Sequence, residues 1–549
     1  MKEDGERARN GEWLPRAHGE ERGALQGRVT RGLGWTFLDQ WGRQLLNLIV
    51  FIVIARLVAP EDIGVVALAT VFVAFAQIFI DAGLGDALVQ RRVLTRAHID
   101  TAFWISVGTG AALAAGVILL AIPLGVLLGE PRVTPVLQVL SISFVLYAAS
   151  SIQMSLLRRE LALRSLAIRA LLAVGGGAAV GITLAFLGFG PWALVGQQLA
   201  AATLSVLTLW RVSPWRPGGQ VSRAHFRELF GFGLNIVGTD ILTFLSKRTD
   251  NLLVGLYLGT AALGFYTVAY RILDSSQALL AGIGGKVAFP AFSQLQHDRV
   301  RLGNAFLRVS RVTSAFVMPG FVALALVAPE LIVVLFGARW AEAGPPAAAL
   351  FAVGIAYAIG HFSGAALNAA GHPEITFRYR LVSTLTNVVG FFIAAALFGS
   401  IVAVAFAYTA RAYLLLPLNL YLLRRYVGVP LTRFVRELSG ILLGTAALAL
   451  AVLAVKFVLG GDVPLAAVLA AEVLAGSVAF VVVFAAADRP LLGEIIGLLL
   501  QALPGRRATR ASRRQQRAEV ETDEDRLRQP QRPLDPGMPE VARPGFDDG

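Results

Sequence analysis

Asp39, Arg43 and Asn47 recur at i, i+4 and i+8, a polar stripe down one face of an otherwise apolar stretch. Some 200 residues later a counterpart stretch carries Asp240, Lys247 and Asn251, with Arg248 and Asp250 beside them. Gln77, Asp81 and Asp86 lie in the apolar stretch after the first set, and Arg271, Asp274 and Lys286 in the stretch after the second. The chemistry these types offer is electrostatic. The planar guanidinium of Arg matches the oxygens of a phosphate, and Lys adds a point charge. A cavity lined by both suits an anionic head group, and its contacts are stronger in a low-dielectric setting than on a surface. Blander roles fit some members equally: Asp39 and Arg43 are spaced for an ion pair, Arg56 and Arg248 stand near helix ends and can extend to head groups, and Asp81 and Asp86 can cap or hinge around Gly83 and Gly85.

Other chemistry is not encoded. The chain has no Cys, which removes disulfides, Cys-ligated zinc, iron–sulfur clusters and thiol nucleophiles. The six His (His18, His98, His225, His297, His361, His372) show no metal-ligand spacing, and no P-loop is present. No catalytic constellation is visible, so an enzyme is not expected, and no cofactor is implied.

The elements that must carry the stripes are membrane helices. The chain has 549 residues, 56% hydrophobic and only 15% charged, against about 25% charged in soluble domains. Its mean hydropathy is +0.65. Apolar segments fall at about 33–58, 64–90, 100–128, 133–157, 165–187, 191–211, 232–259, 262–293, 303–328, 343–370, 375–398, 401–423, 437–459 and 463–487. Such continuous Ala/Leu/Val/Gly runs make helices, since a β-barrel needs short alternating segments. A charge at the bilayer centre costs about 2.5–3.5 kcal/mol, so four on the seventh segment would cost roughly 10 kcal/mol if all faced lipid. They must face water or one another.

Arginine placement tests the count of fourteen. Gaps after even-numbered segments hold Arg91, Arg92 and Arg96; Arg158, Arg159 and Arg164; Arg211, Arg216, Arg223 and Arg227; Arg299, Arg301 and Arg308; Arg378 and Arg380; and Arg424, Arg425, Arg433 and Arg436. Gaps after odd-numbered segments hold Arg132 and Arg339 and little else that is basic. Both termini are therefore expected in the cytoplasm. The net charge of +13 is attributed to these loops and the tail, facing anionic lipid rather than nucleic acid. The longest outer loop, about Pro329 to Gly344, contains the apolar turn Leu331–Phe336; loops this short leave no room for a polymerase active site.

Val53 to Ala69 pairs with Leu253 to Ala269: Gly64 matches Gly264, Ala69 matches Ala269, and the apolar pattern agrees almost throughout. Both copies start on the same side, a parallel repeat of the kind that places substrate between two rocking halves. The expected organisation is a polar leader at 1–31 that is not a signal peptide, a six-helix bundle at 32–212, a cytoplasmic linker at 213–231, a second six-helix bundle at 232–427, two further helices at 428–503 and a disordered, Arg-rich then acidic tail at 504–549.

Asp81-Ala-Gly-Leu-Gly-Asp-Ala-Leu-Val-Gln-Arg-Arg with Ala102-Phe-Trp104, Phe189-Gly-Pro-Trp-Ala-Leu-Val-Gly-Gln197, and Asp250-Asn-Leu-Leu-Val-Gly-Leu-Tyr-Leu-Gly with Leu263-Gly-Phe-Tyr266 resemble the Wzx-type oligosaccharide flippases, in particular the colanic-acid exporter-like branch. Phe289-Pro-Ala-Phe-Ser293, Phe336-Gly-Ala-Arg-Trp340 and Asn368-Ala-Ala-Gly371 extend the resemblance, which covers about residues 30 to 430. It implies the multidrug/oligosaccharidyl-lipid/polysaccharide exporter superfamily: an all-α polytopic membrane protein of about 14 transmembrane helices, two parallel six-helix bundles around a central cavity plus two extra helices. It implies transfer of a polyprenyl-diphosphate oligosaccharide from the inner to the outer leaflet of the bacterial cytoplasmic membrane, for exopolysaccharide or O-antigen assembly. Partners it brings are a polysaccharide polymerase and a chain-length regulator; nucleic acid is not among them. Carried over by position, Arg43, Lys247, Arg248 and Arg271 would line the cationic cavity, with Arg56 near the outer mouth. Asp39, Asp240, Asp250 and Asn251 are counter-charges or proton- or sodium-coupling candidates. Lipid II flipping and drug/cation antiport are the alternatives within the superfamily; antiport calls for an acidic cavity.

Overall fold

The computed structural model describes residues 42–81, 84–91, 94–281, 292–296, 298–459 and 463–502. The leader, Asp39, Lys286 and the tail lie outside the described residues, as do the side chains of Asp81 and Asp86. Uninterrupted runs of Ala, Leu, Val and Gly form α1 (42–57), α2 (Pro60–Asp81), α3 (Arg96–Leu127), α4 (Val133–Arg159), α5 (Leu163–Phe186) and α6 (Trp192–Val212). They continue with α7 (223–258), α8 (260–281), α9 (Arg299–Phe336), α10 (Ala338–Ala369), α11 (Pro373–Phe398), α12 (Ile401–Val427), α13 (Leu431–Val458) and α14 (Leu465–Ala487). A last helix, α15 (Arg489–Ala502), belongs to a separate unit that starts at Asp488.

Twelve described helical stretches are long and apolar enough to cross a membrane. α7 and α8 count as one of these, and α1 is described only from residue 42. Dividing the first and adding the second returns fourteen. The division is physical: Gly259 takes φ 85° and ψ 175°, outside the helical region and strained for any residue with a Cβ, so the backbone kinks there.

Local chemistry explains the other ends. Asp298 caps α9 by accepting from the N–H groups of Val300 and Arg301 at 3.1 and 3.0 Å, and Ser400 caps α12 through Val402 N–H. The second apolar segment is described as α2, Pro60–Asp81, and a short helix, Leu84–Gln90. One expectation is corrected. Leu331–Phe336 is the last turn of α9 rather than part of an outer loop, because Pro329 is accommodated inside the helix and the backbone turns only at Gly337, φ 100°. α10 is assembled from a 3₁₀ turn and three short helices, as Gly344-Pro-Pro346 and Gly354 interrupt its hydrogen-bond ladder.

The exterior is apolar. Phe457 is 90% exposed, and Val126, Leu127, Leu397 and Phe398 also point outward, an arrangement stable against hydrocarbon and not against water. Inside, α5 packs on α6, α2 on α8, and α13 on α14.

Candidate functional site

The first six helices meet the next six backbone to backbone where α2 crosses α8, one turn from the start of each. A Cβ added at Gly64 would collide with the carbonyl of Thr260, and one added at Gly264 with the carbonyl of Pro60. Positions 60 and 64 thus face 260 and 264 reciprocally, as a pseudo-twofold requires. At the same end Trp340 Nε1 donates to Ala55 O at 2.8 Å, and the Arg56 guanidinium donates to Val334 O and Leu335 O, each at 2.6 Å. Thr260 Oγ1 donates to Glu130 Oε2 at 3.0 Å, and Arg132 donates to Glu130 Oε1 at 2.9 Å and approaches Asp62 at 3.4 Å. The Arg132 bond, with that from Thr260, holds the Glu130 carboxyl below its usual range.

Beyond this seal a cavity of about 360 Å³ opens between the halves. Arg248 and Asn251 of α7 and Thr267 and Arg271 of α8 line it from one side. Asn47 of α1, Thr70 of α2, and Gln197 and Gln198 of α6 line it from the other. The Arg271 guanidinium lies 5.2 Å from the centroid of the Phe51 ring, which supports the cation without neutralising it. A second cavity of about 290 Å³ is lined by Gln77, Asp240, Thr243, Lys247 and Arg248. Arg248 borders both.

The structure thus brings together Arg248, Arg271 and Asn251 in one cavity and Asp240, Lys247 and Arg248 in the next. Arg43 stands half-buried on α1 and lines neither. Arg56 sits in the seal, its fork engaged by α9 carbonyls. Asp250 is turned away from both cavities into the protein, 1% exposed, accepting from Tyr266 OH at 2.9 Å and from Asn251 N–H at 2.8 Å. Sequence reasoning overlooked Gln197 and Gln198; two adjacent amides in the middle of an apolar span were the available signal. α5 and α6 pack closely at Gly177, where an added Cβ would stand 2.8 Å from Gln197 O and hold α6 off α5.

Two like charges facing one cavity favour an anion between them, and the surrounding amides and hydroxyls offer donors and acceptors for a polar, many-hydroxyl group. The cavity volume lies within the usual range of ligand sites.

The model of the family described as polysaccharide biosynthesis protein matches residues 53–345. The succinoglycan biosynthesis transport protein ExoT of Rhizobium meliloti is 31% identical over 318 residues, 58% of this chain and 64% of that protein; the chain spans just under two thirds of that relative's length. The lipopolysaccharide biosynthesis protein WzxC of Escherichia coli is 26% identical over 380 residues, 69% of this chain and 77% of that protein. Among solved structures, the lipid II flippase MurJ in an inward closed conformation superposes with TM-score 0.67 at 15% identity, over 84% of this chain and 100% of that one. An inward-facing multidrug resistance MATE family transporter of the MOP superfamily gives 0.55 at 16% identity, over 70% and 94%. These likenesses show the fold, which is the one the motifs implied.

Proposed function

The chain belongs to the polysaccharide biosynthesis protein family, and from that premise we propose that it is a lipid-linked oligosaccharide flippase. It moves polyprenyl-diphosphate-linked repeat units from the inner to the outer leaflet of a bacterial cytoplasmic membrane, for exopolysaccharide or O-antigen assembly. The observation that carries this reading is the pair Arg248 and Arg271 in one cavity lined by both halves. In this reading their guanidinium forks take the diphosphate, while Asn47, Gln197 and Gln198 meet sugar hydroxyls. Lys247, beside Asp240 in the neighbouring cavity, receives the anion on its way in. Arg43 adds to the positive field on the same side. Asp250, Asn251 and Asp39 are the counter-charge or ion-coupling groups.

The arginine-rich loops put both termini in the cytoplasm, so the α2–α8 crossing lies at the outer face. The described conformation is then sealed outward, and transport requires the crossing to part while the opposite end closes. Arg56 acts in that seal rather than in binding. Relatives bearing the names of succinoglycan transport and lipopolysaccharide biosynthesis support a polysaccharide as the end product. In this reading a polymerase and a chain-length regulator are the downstream partners. The binding groups and the seal form a carrier; no chemical step is assigned to the chain.

The test is lipid extraction and mass spectrometry in a strain lacking the gene, complemented with the wild type or with Arg248→Glu plus Arg271→Glu. The expected result is that the double reversal inserts normally, surface polymer is lost, and a complete polyprenyl-diphosphate repeat accumulates. Normal polymer in the reversed strain overturns the phosphate cradle; a deletion with an unchanged lipid pool overturns the substrate class.

A further inference from the structure

Away from the cavity, α9, α13 and α14 meet along an apolar seam formed by Val327, Leu448 and Val452, with Leu331 and Leu469 against it. α14 closes on α13 at Gly476, where an added Cβ would stand 2.9 Å from Val452 Cγ2. Inside this seam are three ionisable side chains, one from each helix. Lys456 Nζ of α13 donates to Glu330 Oε1 of α9 at 2.8 Å and stands 3.9 Å from Glu472 Oε1 of α14. Glu472 is fully buried, about 10 Å along α14 from its first residue, while Val473, Leu474 and Val478 around it face outward. Neither oxygen of Glu472 has a hydrogen-bond partner, and neither does Oε2 of Glu330.

The charges do not balance. Two ionised carboxylates against one ammonium leave a net negative charge inside apolar surroundings, and among the described residues the charged groups facing Glu472 are Glu330 and Lys456 alone. An uncompensated carboxylate at such depth is expensive. One proton removes the imbalance and leaves one carboxylate for one ammonium. The 2.8 Å contact marks Lys456 and Glu330 as the ion pair, which leaves Glu472 as the acid.

We propose that Glu330, Lys456 and Glu472 form a proton-binding site at the junction of α9, α13 and α14, holding one exchangeable proton on Glu472. Losing the proton leaves a buried anion in the seam, so the docking of α13 and α14 onto α9 is tied to protonation. α9 also supplies the Val334 and Leu335 carbonyls that Arg56 grips, about one turn from Glu330. The site lies outside the residues matched by the family model on two of its three helices.

The experiment uses the full chain in lipid nanodiscs. Infrared spectroscopy at neutral pH is expected to show a carboxylic acid C=O stretch that Glu472→Gln removes. Glu330→Gln leaves one carboxylate for one ammonium, so Glu472 ionises and the band disappears again; Lys456→Met leaves no cation and the band grows. A second measurement needs no variant: dicyclohexylcarbodiimide, which reacts with protonated carboxyls in apolar surroundings, is expected to attach to Glu472 at neutral pH and less as pH rises, located by peptide mass spectrometry. A band unchanged in Glu472→Gln, or carbodiimide attached only at other carboxyls, overturns the proposal. Labelling abolished by sodium chloride at constant pH also overturns it, because the site would then hold a metal cation in place of the proton.

Discussion

Gly64 and Gly264, one turn into α2 and α8, each press against the first residue of the other helix: Gly64 against the Thr260 carbonyl and Gly264 against the Pro60 carbonyl. Two hydrogens in place of two side chains are what let the halves touch backbone to backbone. Substituting Leu at either position is expected to force the crossing open, since overpacking of this kind costs about 1–3 kcal/mol. The chain has no native Cys, so a single reporter at Val65→Cys, buried beside the crossing, gives a clean readout. Maleimide modification should be slow in the parent and fast in Gly64→Leu and Gly264→Leu; equal rates sink the interlock.

Arg56 and Trp340 make the seal's polar half. Trp340→Phe keeps the ring against Phe265 and Phe336 but loses the bond to Ala55 O, with an expected loss of about 1 kcal/mol. Arg56→Lys replaces the planar fork that spans the two carbonyls by a single ammonium centre and should lower the same reporter's protection. Thermal unfolding in detergent and the Val65→Cys rate check the two together.

Glu130 links pH to this end of the protein. Arg132 and Thr260 lower its pKa below the ordinary 4.5, so the stabilisation it brings is present above that value and is lost as pH falls through the lowered one. Wild type should therefore exceed Glu130→Gln in Tm at neutral pH, and the two melting curves should converge in acid. A difference that persisted below the carboxylate range would mean that the glutamate acts through packing.

Tyr266→Phe leaves Asp250 Oδ2 without its hydroxyl partner in a fully buried position, a loss of about 1–3 kcal/mol. Asp250 does not line either cavity, so the variant is expected to melt earlier while binding of a diphosphate lipid, followed by quenching of intrinsic tryptophan fluorescence, stays within about twofold. A large loss of affinity with unchanged Tm would put Asp250 in the binding surface.

Much of this was legible along the chain. Segment number, the arginine alternation and the pairing of 53–69 with 253–269 depend on composition and period, which lipid imposes on every residue of a span. Polar stripes on α1 and α7 were equally visible, because an ionisable group in an apolar helix must be accounted for wherever it points. Their sorting was not. Arg248 and Arg271 face one cavity, Arg56 is taken up by α9 carbonyls 278 and 279 residues away, and Asp250, next to Asn251, turns into the protein. Neighbours in sequence differ by about 100° around a helix, so which of them meets water depends on the rotation of that helix against its partners.

The amino-acid sequence by itself determined that this is a multi-span helical membrane protein built as a parallel repeat with ionisable residues in its spans, since hydrophobicity and spacing act residue by residue. Only the tertiary structure decided that Gly64 and Gly264 interlock, that Gln197 and Gln198 share a cavity with Arg271, and that Glu472 meets Lys456 and Glu330. Each of these is a contact between helices far apart in the chain, and its existence rests on packing geometry that no local pattern encodes.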